Sequence, residues 1–155
     1  MFENVKMPEG MSAETLEHLM NPKNYGKLEN PSCIGVALDE KTKEYVIFYT
    51  LLDGDIIKDV RFATNGCQDT VVIGSMFSEM IKNNDTEYAN GAIEKMHERL
   101  GVMTPQQQIC AEIVFSAFLA SLKNFENLQA GKEEELHLFK MKESCEAENM
   151  GNNDE

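Results

Sequence analysis

The distribution of apolar and polar positions divides this chain into a strand-rich part followed by a helical part. Three short apolar runs occupy residues 34–38, 44–52 and 56–63. The charged segment 39–43 separates the first two runs, and an Asp-Gly-Asp turn at 53–55 separates the last two. In the third run Ile57, Val60 and Phe62 partly alternate with charged side chains, which is the period of a strand. The pattern predicts three strands joined as an antiparallel meander.

After residue 67 the apolar positions recur every three or four residues, which is the period of a helix. The first predicted helix runs through Val71, Val72, Ser75, Met76, Glu79 and Met80. A second helix is predicted near residues 88–100, closed by Gly101. Pro105 fits the first turn of the longest helix, which should reach about residue 128. Residues 133–143 are expected to add an amphipathic turn or two.

One further helix is predicted before the strands. It passes through Leu16, Leu19 and Met20, with Ser12 as its cap and the Asn-Pro pair at 21–22 as its stop. Strands followed by helices predict an α+β fold, in which helices pack on one face of a three-stranded antiparallel sheet and the longest helix lies near the C-terminus. We expect a single domain over residues 1–143 and an acidic, disordered tail over 144–155.

Charge narrows the possible functions. The 155 residues carry 27 acidic and 14 basic side chains, a net charge of −13 at pH 7. This sign argues against binding nucleic acid or an anionic membrane surface. No apolar run is long enough to span a bilayer, and residues 1–10 lack the apolar core of a signal peptide. Four widely spaced cysteines without a CxxC pair suggest no disulfide framework, so we expect a cytoplasmic protein.

Two cysteines are candidates for chemistry. Cys67 follows Asn65-Gly66 where a strand is predicted to end and a helix to begin, and Cys110 lies near the start of the longest helix. Gly66 would permit a left-handed turn, and a helix N-terminus favours a thiolate over a thiol. The alternative is that each is a small buried core residue, which is the usual place of a free cysteine.

Three segments resemble the IscU/NifU N-terminal type of iron–sulfur cluster assembly scaffold family. Residues 18–26 (HLMNPKNYG) are similar to its HxxNPxNxG opening. Residues 53–67 (DGDIIKDVRFATNGC) resemble its third strand and second cysteine, and residues 109–114 (ICAEIV) resemble the segment around its third cysteine. The similarity covers roughly residues 12–128. In this family's opening motif, a hydrogen-bonding role is the expectation for His18.

The resemblance implies both a fold and a function. It implies the family's three-stranded antiparallel sheet packed with helices, and a protein that is not an ordinary enzyme. Such a protein would bind an iron–sulfur cluster, or an iron or zinc ion, through Cys67 and Cys110. The implied partners are a cysteine desulfurase as sulfur donor and cluster-accepting proteins as recipients. Residues 103–107 (MTPQQ) keep one proline but not the lysine of the family's chaperone motif, so we do not expect a dedicated Hsp70-type chaperone.

The sequence departs from the family at the first cysteine. Counting back from Cys67 places that position in the turn Lys41-Thr42-Lys43, which contains neither a cysteine nor a following aspartate. Cys33 precedes the first strand and should lie near the opposite end of the sheet. Cys145 falls in the acidic tail.

Several ways to complete or replace the ligand set remain open. Carboxylates at Glu44, Glu40 or Asp69 could join the two sulfurs around a metal, or a dimer could share a cluster. Alternatively Lys41 or Lys43 supplies a positive charge that lowers the thiol pKa. Both lysines could also simply cover an exposed hairpin turn.

The alternative functions follow from this departure. One is a degenerate scaffold homologue that binds no cluster and acts as an interaction or regulatory protein. The other is a two-cysteine persulfide or redox carrier.

Overall fold

The computed structural model describes residues 13–141 as four helices and four strands. In chain order they are α1 (Ala13–Met20), β1 (Cys33–Asp39), β2 (Tyr45–Asp53), β3 (Ile56–Thr64), α2 (Gln68–Ile81), α3 (Thr86–Leu100), α4 (Pro105–Gln129) and β4 (His137–Met141). The α+β class and the position of the longest helix are confirmed. Ser12, the predicted cap of α1, lies outside the described residues. None of the helices within this range is long and apolar enough to cross a membrane.

Within residues 13–141 the sheet has four strands rather than the predicted three. Its order is β3-β2-β1-β4, and β1, β2 and β3 form the predicted antiparallel meander. β4 adds to the other side of β1 in parallel. The amphipathic turns predicted for residues 133–143 are therefore wrong, because this segment contributes an edge strand. Within it Leu138 and Phe139 stay exposed and only Met141 is buried, so no clean two-residue period marks the strand.

Helix α4 lies directly on β1, and a glycine makes this close approach possible. Alternate β1 residues are buried, and a Cβ at Gly35 would come within 2.0 Å of the Ser121 backbone nitrogen and 2.4 Å of the Ala117 carbonyl oxygen. Both atoms belong to the backbone of α4, so they cannot move aside. The contact fixes how α4 sits on the sheet, and thereby where the N-terminal turns of α4 lie.

Hydrogen bonds from residues 18–26 connect α1 and the loop after it to α2 and β3. The ring Nδ1 of His18 lies 2.6 Å from the Ser75 hydroxyl in α2. Gly26 donates its backbone N–H to the Phe62 carbonyl, and the Phe62 N–H donates to the carbonyl of Asn24. The segment therefore pairs with the outer edge of β3. The predicted hydrogen-bonding role of His18 is confirmed, and burial lowers the pKa of its ring below the usual value.

Candidate functional site

The structure brings the two candidate cysteines into contact. Cys67 is the N-cap residue of α2, with an extended backbone (φ −83°, ψ −175°) and a side chain that makes no capping hydrogen bond. Cys110 lies in the second turn of α4, which begins at Pro105. Their Sγ atoms are 3.7 Å apart. Cys67 is exposed and Cys110 is completely buried, so the pair combines an accessible thiol with an inaccessible one.

Gly66 is needed at this turn for a different reason from the one predicted. Its φ is not among the positive values, so the left-handed conformation expected from the sequence is wrong. Instead, a Cβ at this position would lie 2.0 Å from Oε2 of Glu44 and 3.0 Å from Oγ1 of Thr70. Glycine therefore makes room for the Glu44 carboxylate beside the cysteine turn.

A small polar network surrounds the two sulfurs. The Thr70 hydroxyl donates to Oε2 of Glu44 at 2.7 Å, and the same hydroxyl oxygen is 4.0 Å from Sγ of Cys67. Nε2 of Gln106 donates to Sγ of Cys110 at 3.6 Å. Sequence reasoning did not identify Thr70 or Gln106 as site residues. Helical spacing could have found them, since Thr70 follows Cys67 by three residues and Gln106 precedes Cys110 by four.

The thiolate predicted for Cys110 is not favoured in the structure. Burial raises the pKa of Cys110 to about 12, and the nearby Cys67 and Glu44 add to the increase. Side-chain hydrogen bonding with Thr70 lowers the pKa of Cys110 and so opposes this shift. Because Cys110 lies beyond the first turn of α4, the helix N-terminus gives it little help. At neutral pH it carries its proton.

Lys41 and Lys43 lie in the hairpin turn that joins β1 to β2, and both side chains are exposed. Lys43 adopts a left-handed conformation (φ 67°), and its N–H donates to the Asp39 carbonyl at 2.7 Å. The charged groups that shift the pKa of Cys110 are Cys67 and Glu44, and neither lysine is among them. A substitute role for these lysines stays a prediction.

The predicted carboxylate ligands do not complete a metal site with the two thiols. Over residues 13–141, no group of three His, Cys, Asp or Glu side chains is placed to hold a metal ion. Glu44 accepts its hydrogen bond from Thr70, and Asp69 lines a cavity of about 210 Å³ together with Arg99 and Gln107. The lining of that cavity includes neither cysteine.

Of the two remaining cysteines, Cys33 is the one that lies within residues 13–141. Cys33 is the first residue of β1, whereas the lysine turn follows Asp39, the last. The seven residues of β1 span about 20 Å, so the predicted position of Cys33 at the opposite end of the sheet is confirmed. Burial raises the pKa of Cys33 to about 12. Cys145 lies outside the described residues.

The spacing of the sulfur pair suits two kinds of chemistry. Two thiolates bound to one tetrahedral ion at about 2.3 Å lie about 3.8 Å apart, close to the observed 3.7 Å. The same spacing also lets one sulfur attack the other with a modest side-chain movement, because a disulfide needs about 2.05 Å. The site can therefore hold a soft ion or perform sulfur exchange.

Comparison with known sequences identifies relatives of this chain. A family model described as NifU-like N terminal domain matches residues 11–132. The iron–sulfur cluster assembly scaffold protein IscU of Aquifex aeolicus is 30% identical over 124 residues, covering 78% of this chain and 79% of the relative. IscU 1 of Archaeoglobus fulgidus is 26% identical over 147 residues, covering 93% and 96%. The zinc-dependent sulfurtransferase SufU of Bacillus subtilis is 36% identical over 75 residues, covering 48% and 50%.

Solved structures share the fold. A putative SUF-system scaffold protein from Fervidobacterium islandicum superposes with a TM-score of 0.63 at 19% identity, covering 73% of this chain and 96% of that one. The N-terminal part of a NifU-like protein from Brucella abortus gives 0.59 at 14% identity, covering 75% and 94%. At these identities the likeness concerns the fold alone.

Proposed function

The chain belongs to the NifU-like N-terminal domain family, and we propose that it serves as an iron–sulfur cluster assembly scaffold-type protein. In this proposal Cys67 and Cys110 hold iron, a cluster or sulfur during its transfer. The sulfur comes from a cysteine desulfurase, and the cargo passes to a cluster-accepting protein. The chain is a carrier that is itself modified and restored, not an enzyme in the ordinary sense.

One observation supports this proposal above the others, namely the 3.7 Å contact between the two Sγ atoms. The two cysteines come from different helices and are separated by 43 positions. An exposed sulfur next to a buried one gives a donor access to the site, while the second sulfur stays fixed inside the fold. Two thiols in contact provide a soft ligand pair for iron or zinc.

Two sulfurs leave coordination positions open on a tetrahedral ion. In our proposal, sulfide or side chains of a partner fill these positions, and the cargo is therefore held weakly. Weak retention suits a protein that must hand its cargo on. In the family's chaperone motif, the lysine position corresponds to Gln107. Here Gln107 forms a capping box with Thr104 at the start of α4. Our proposal therefore includes hand-over without a dedicated Hsp70-type chaperone.

Anaerobic reconstitution with ferrous iron and sulfide tests the proposal. We expect the parent chain to bind iron and to develop charge-transfer absorbance in the visible range. Cys67→Ser and Cys110→Ser should lose most of both signals. Cys33→Ser is the matched control, because Cys33 is buried like Cys110 but lies at the other end of the sheet.

A second assay covers cargo in the form of sulfur. After incubation with a cysteine desulfurase and cysteine, we expect the mass of one added sulfur atom on Cys67 when Cys110 is replaced by serine, and no added sulfur when Cys67 itself is replaced. If neither iron nor sulfur binding depends on Cys67 and Cys110, the proposed function is wrong.

The absence of a three-donor group among residues 13–141 favours a second candidate, a homologue that binds no cluster and regulates the desulfurase. It predicts that the chain associates with a desulfurase in a metal-free pull-down. It also predicts that substitution of either cysteine leaves this association unchanged.

A further inference from the structure

We propose that Cys110 resolves a persulfide on Cys67, so that the transferred sulfur leaves as hydrosulfide and the two cysteines close a disulfide. The inference rests on the proposed function in one respect, because sulfur must first reach Cys67. It goes further by assigning different roles to the two thiols and by naming the product that the site releases.

The two thiols differ in access, and this difference assigns their roles. Cys67 is exposed at the strand-to-helix turn, where the persulfide of a donor protein can approach it. Cys110 is completely buried, and the Cys67 sulfur lies 3.7 Å from its own. An external sulfur donor therefore reaches Cys67 first, and Cys110 acts afterwards on what Cys67 carries.

The step balances without any added reagent. The Sγ of Cys110 attacks the inner sulfur of the persulfide, which is the Sγ of Cys67. The new bond joins the two cysteine sulfurs, and the bond between the Cys67 sulfur and the transferred sulfur breaks. A persulfide anion and a thiol thus give a disulfide and hydrosulfide, and the proton of Cys110 leaves with the product. The transferred sulfur is reduced by two electrons, and the two cysteine sulfurs are together oxidised by two.

The surroundings of the pair favour this movement. The Cys67 side chain makes no capping hydrogen bond, and its contact with the Thr70 hydroxyl is long, at 4.0 Å, so little opposes a turn towards Cys110. Nε2 of Gln106 donates to Sγ of Cys110, and this contact stabilises the negative charge that develops as the proton departs. The separation has to shrink from 3.7 Å to about 2.05 Å, which a rotation of the exposed side chain can supply.

The disulfide must be reduced before the next round. Because Cys67 is exposed, its sulfur offers an external dithiol reductant a point of attack. Such a reductant restores both thiols by thiol–disulfide exchange. The product, hydrosulfide, is the form of sulfur that combines directly with ferrous iron, and reduction of the disulfide restores both thiols as ligands.

A single-turnover experiment tests the inference. A cysteine desulfurase is loaded with one persulfide sulfur, freed of cysteine, and mixed anaerobically with the full chain in the absence of any thiol reductant. A sulfide electrode follows release, and mass spectrometry of alkylated protein follows the cysteines. For the parent chain we expect hydrosulfide in proportion to the sulfur transferred, together with a Cys67–Cys110 disulfide.

The variants separate the two levels of the proposal. Cys110→Ser should retain the added sulfur on Cys67 and release hydrosulfide at most at roughly a tenth of the parent rate. Cys110→Ala should give the same result if serine disturbs the fold. Cys33→Ser should behave like the parent. If Cys67 carries sulfur but Cys110→Ser releases hydrosulfide as fast as the parent, the resolving role is wrong and the proposed function stands. If Cys67 never carries sulfur, the sulfur branch of the proposed function fails as well.

Discussion

A buried cysteine lies near each of the two ends of the sheet, Cys33 in β1 and Cys110 in α4, and the surroundings of these two cysteines differ. At the Cys33 end, which comprises Cys33, Thr50, Ser121 and Asn124, the thiol donates to the Thr50 carbonyl at 3.7 Å. The hydroxyls of Thr50 and Ser121 lie 3.0 Å apart beside it. At the thiol-pair end, which comprises Cys67, Cys110, Thr70 and Glu44, the buried sulfur instead faces an exposed one.

Burial affects both buried thiols in the same way. It is the largest cause of the raised pKa of Cys33 and of Cys110, about 12 in each case. Burial therefore disfavours ionisation of both buried thiols. The two sites differ in whether a second, exposed sulfur lies beside the buried thiol. In this protein the presence of a neighbouring sulfur therefore indicates a reactive cysteine better than burial does.

The largest expected effect concerns the free energy of unfolding after substitution of a glycine near each end of the sheet. Gly35→Ala places a Cβ against the backbone of α4, and we expect it to lower the free energy of unfolding by about 3 kcal/mol or more. Gly66→Ala meets side-chain atoms of Glu44 and Thr70, which can move, so its cost should be nearer 1 kcal/mol. Urea unfolding midpoints measure both.

Gly91→Ala is the control for these two substitutions, because nothing lies within 4 Å of its Cβ position in α3. It should raise the free energy of unfolding by about 0.5–1 kcal/mol. Equal losses in the free energy of unfolding for Gly35→Ala and Gly66→Ala would contradict this explanation, in which only the glycine at position 35 packs against backbone atoms.

A smaller effect should appear in thiol labelling. In the folded protein at pH 8, iodoacetamide should modify Cys67 well before Cys33. A local opening that costs about 3 kcal/mol slows the reaction of a buried thiol by roughly 100-fold. Peptide mass spectrometry after timed quenching measures the rates, and labelling in guanidinium chloride provides the equal-access reference. Rapid labelling of Cys33 in the folded protein would remove the contrast between the ends.

The smallest effect concerns acid. Glu134 accepts hydrogen bonds from the side-chain amides of Asn124 and Asn127 and pairs with His137, and these contacts lower its pKa to about 2. A lowered folded-state pKa contributes stability above the ordinary value of 4.5, and this contribution is lost as pH falls from 4.5 towards 2. Glu134→Gln should therefore be less stable than the parent at pH 7, with a difference that narrows at pH 3.

The same substitution at the exposed neighbour Glu133 is the control. Urea midpoints at the two pH values provide the measurement. Asn124 also accepts a hydrogen bond from the Ile34 N–H. Loss of the Glu134 carboxylate should therefore also weaken the contacts at the Cys33 end. A difference between Glu134→Gln and parent that stays constant with pH would argue against this network.

Much of the fold could be predicted from local patterns. The meander and the four helices follow from periodicity, and Gly101 and Pro105 mark element ends as the sequence indicates. Strand β4 could not be predicted in this way, because a five-residue edge strand with exposed Leu138 and Phe139 carries no burial pattern of its own. Its pairing depends on a neighbour about a hundred positions earlier in the chain.

The site was less predictable than the fold. The helix-start positions and the family resemblance single out Cys67 and Cys110, but the reason for Gly66 lies in a carboxylate 22 positions away. Likewise the pKa of Cys110 depends on how deeply α4 buries it, which no local pattern records. Contacts between distant segments decided both outcomes.

The parallel pairing of β4 also has a practical consequence. Met141 pairs with Asp39, and the Glu40 N–H donates to the Met141 carbonyl, so the described chain ends beside the lysine turn. A fluorophore or affinity handle inserted immediately after Met141 would start at the same end of the sheet as Cys67. Such a label would lie at the end of the sheet where a donor protein has to approach Cys67, and away from the Cys33 end. Handles for interaction measurements are better placed on the exposed face of α3, for example at Lys95.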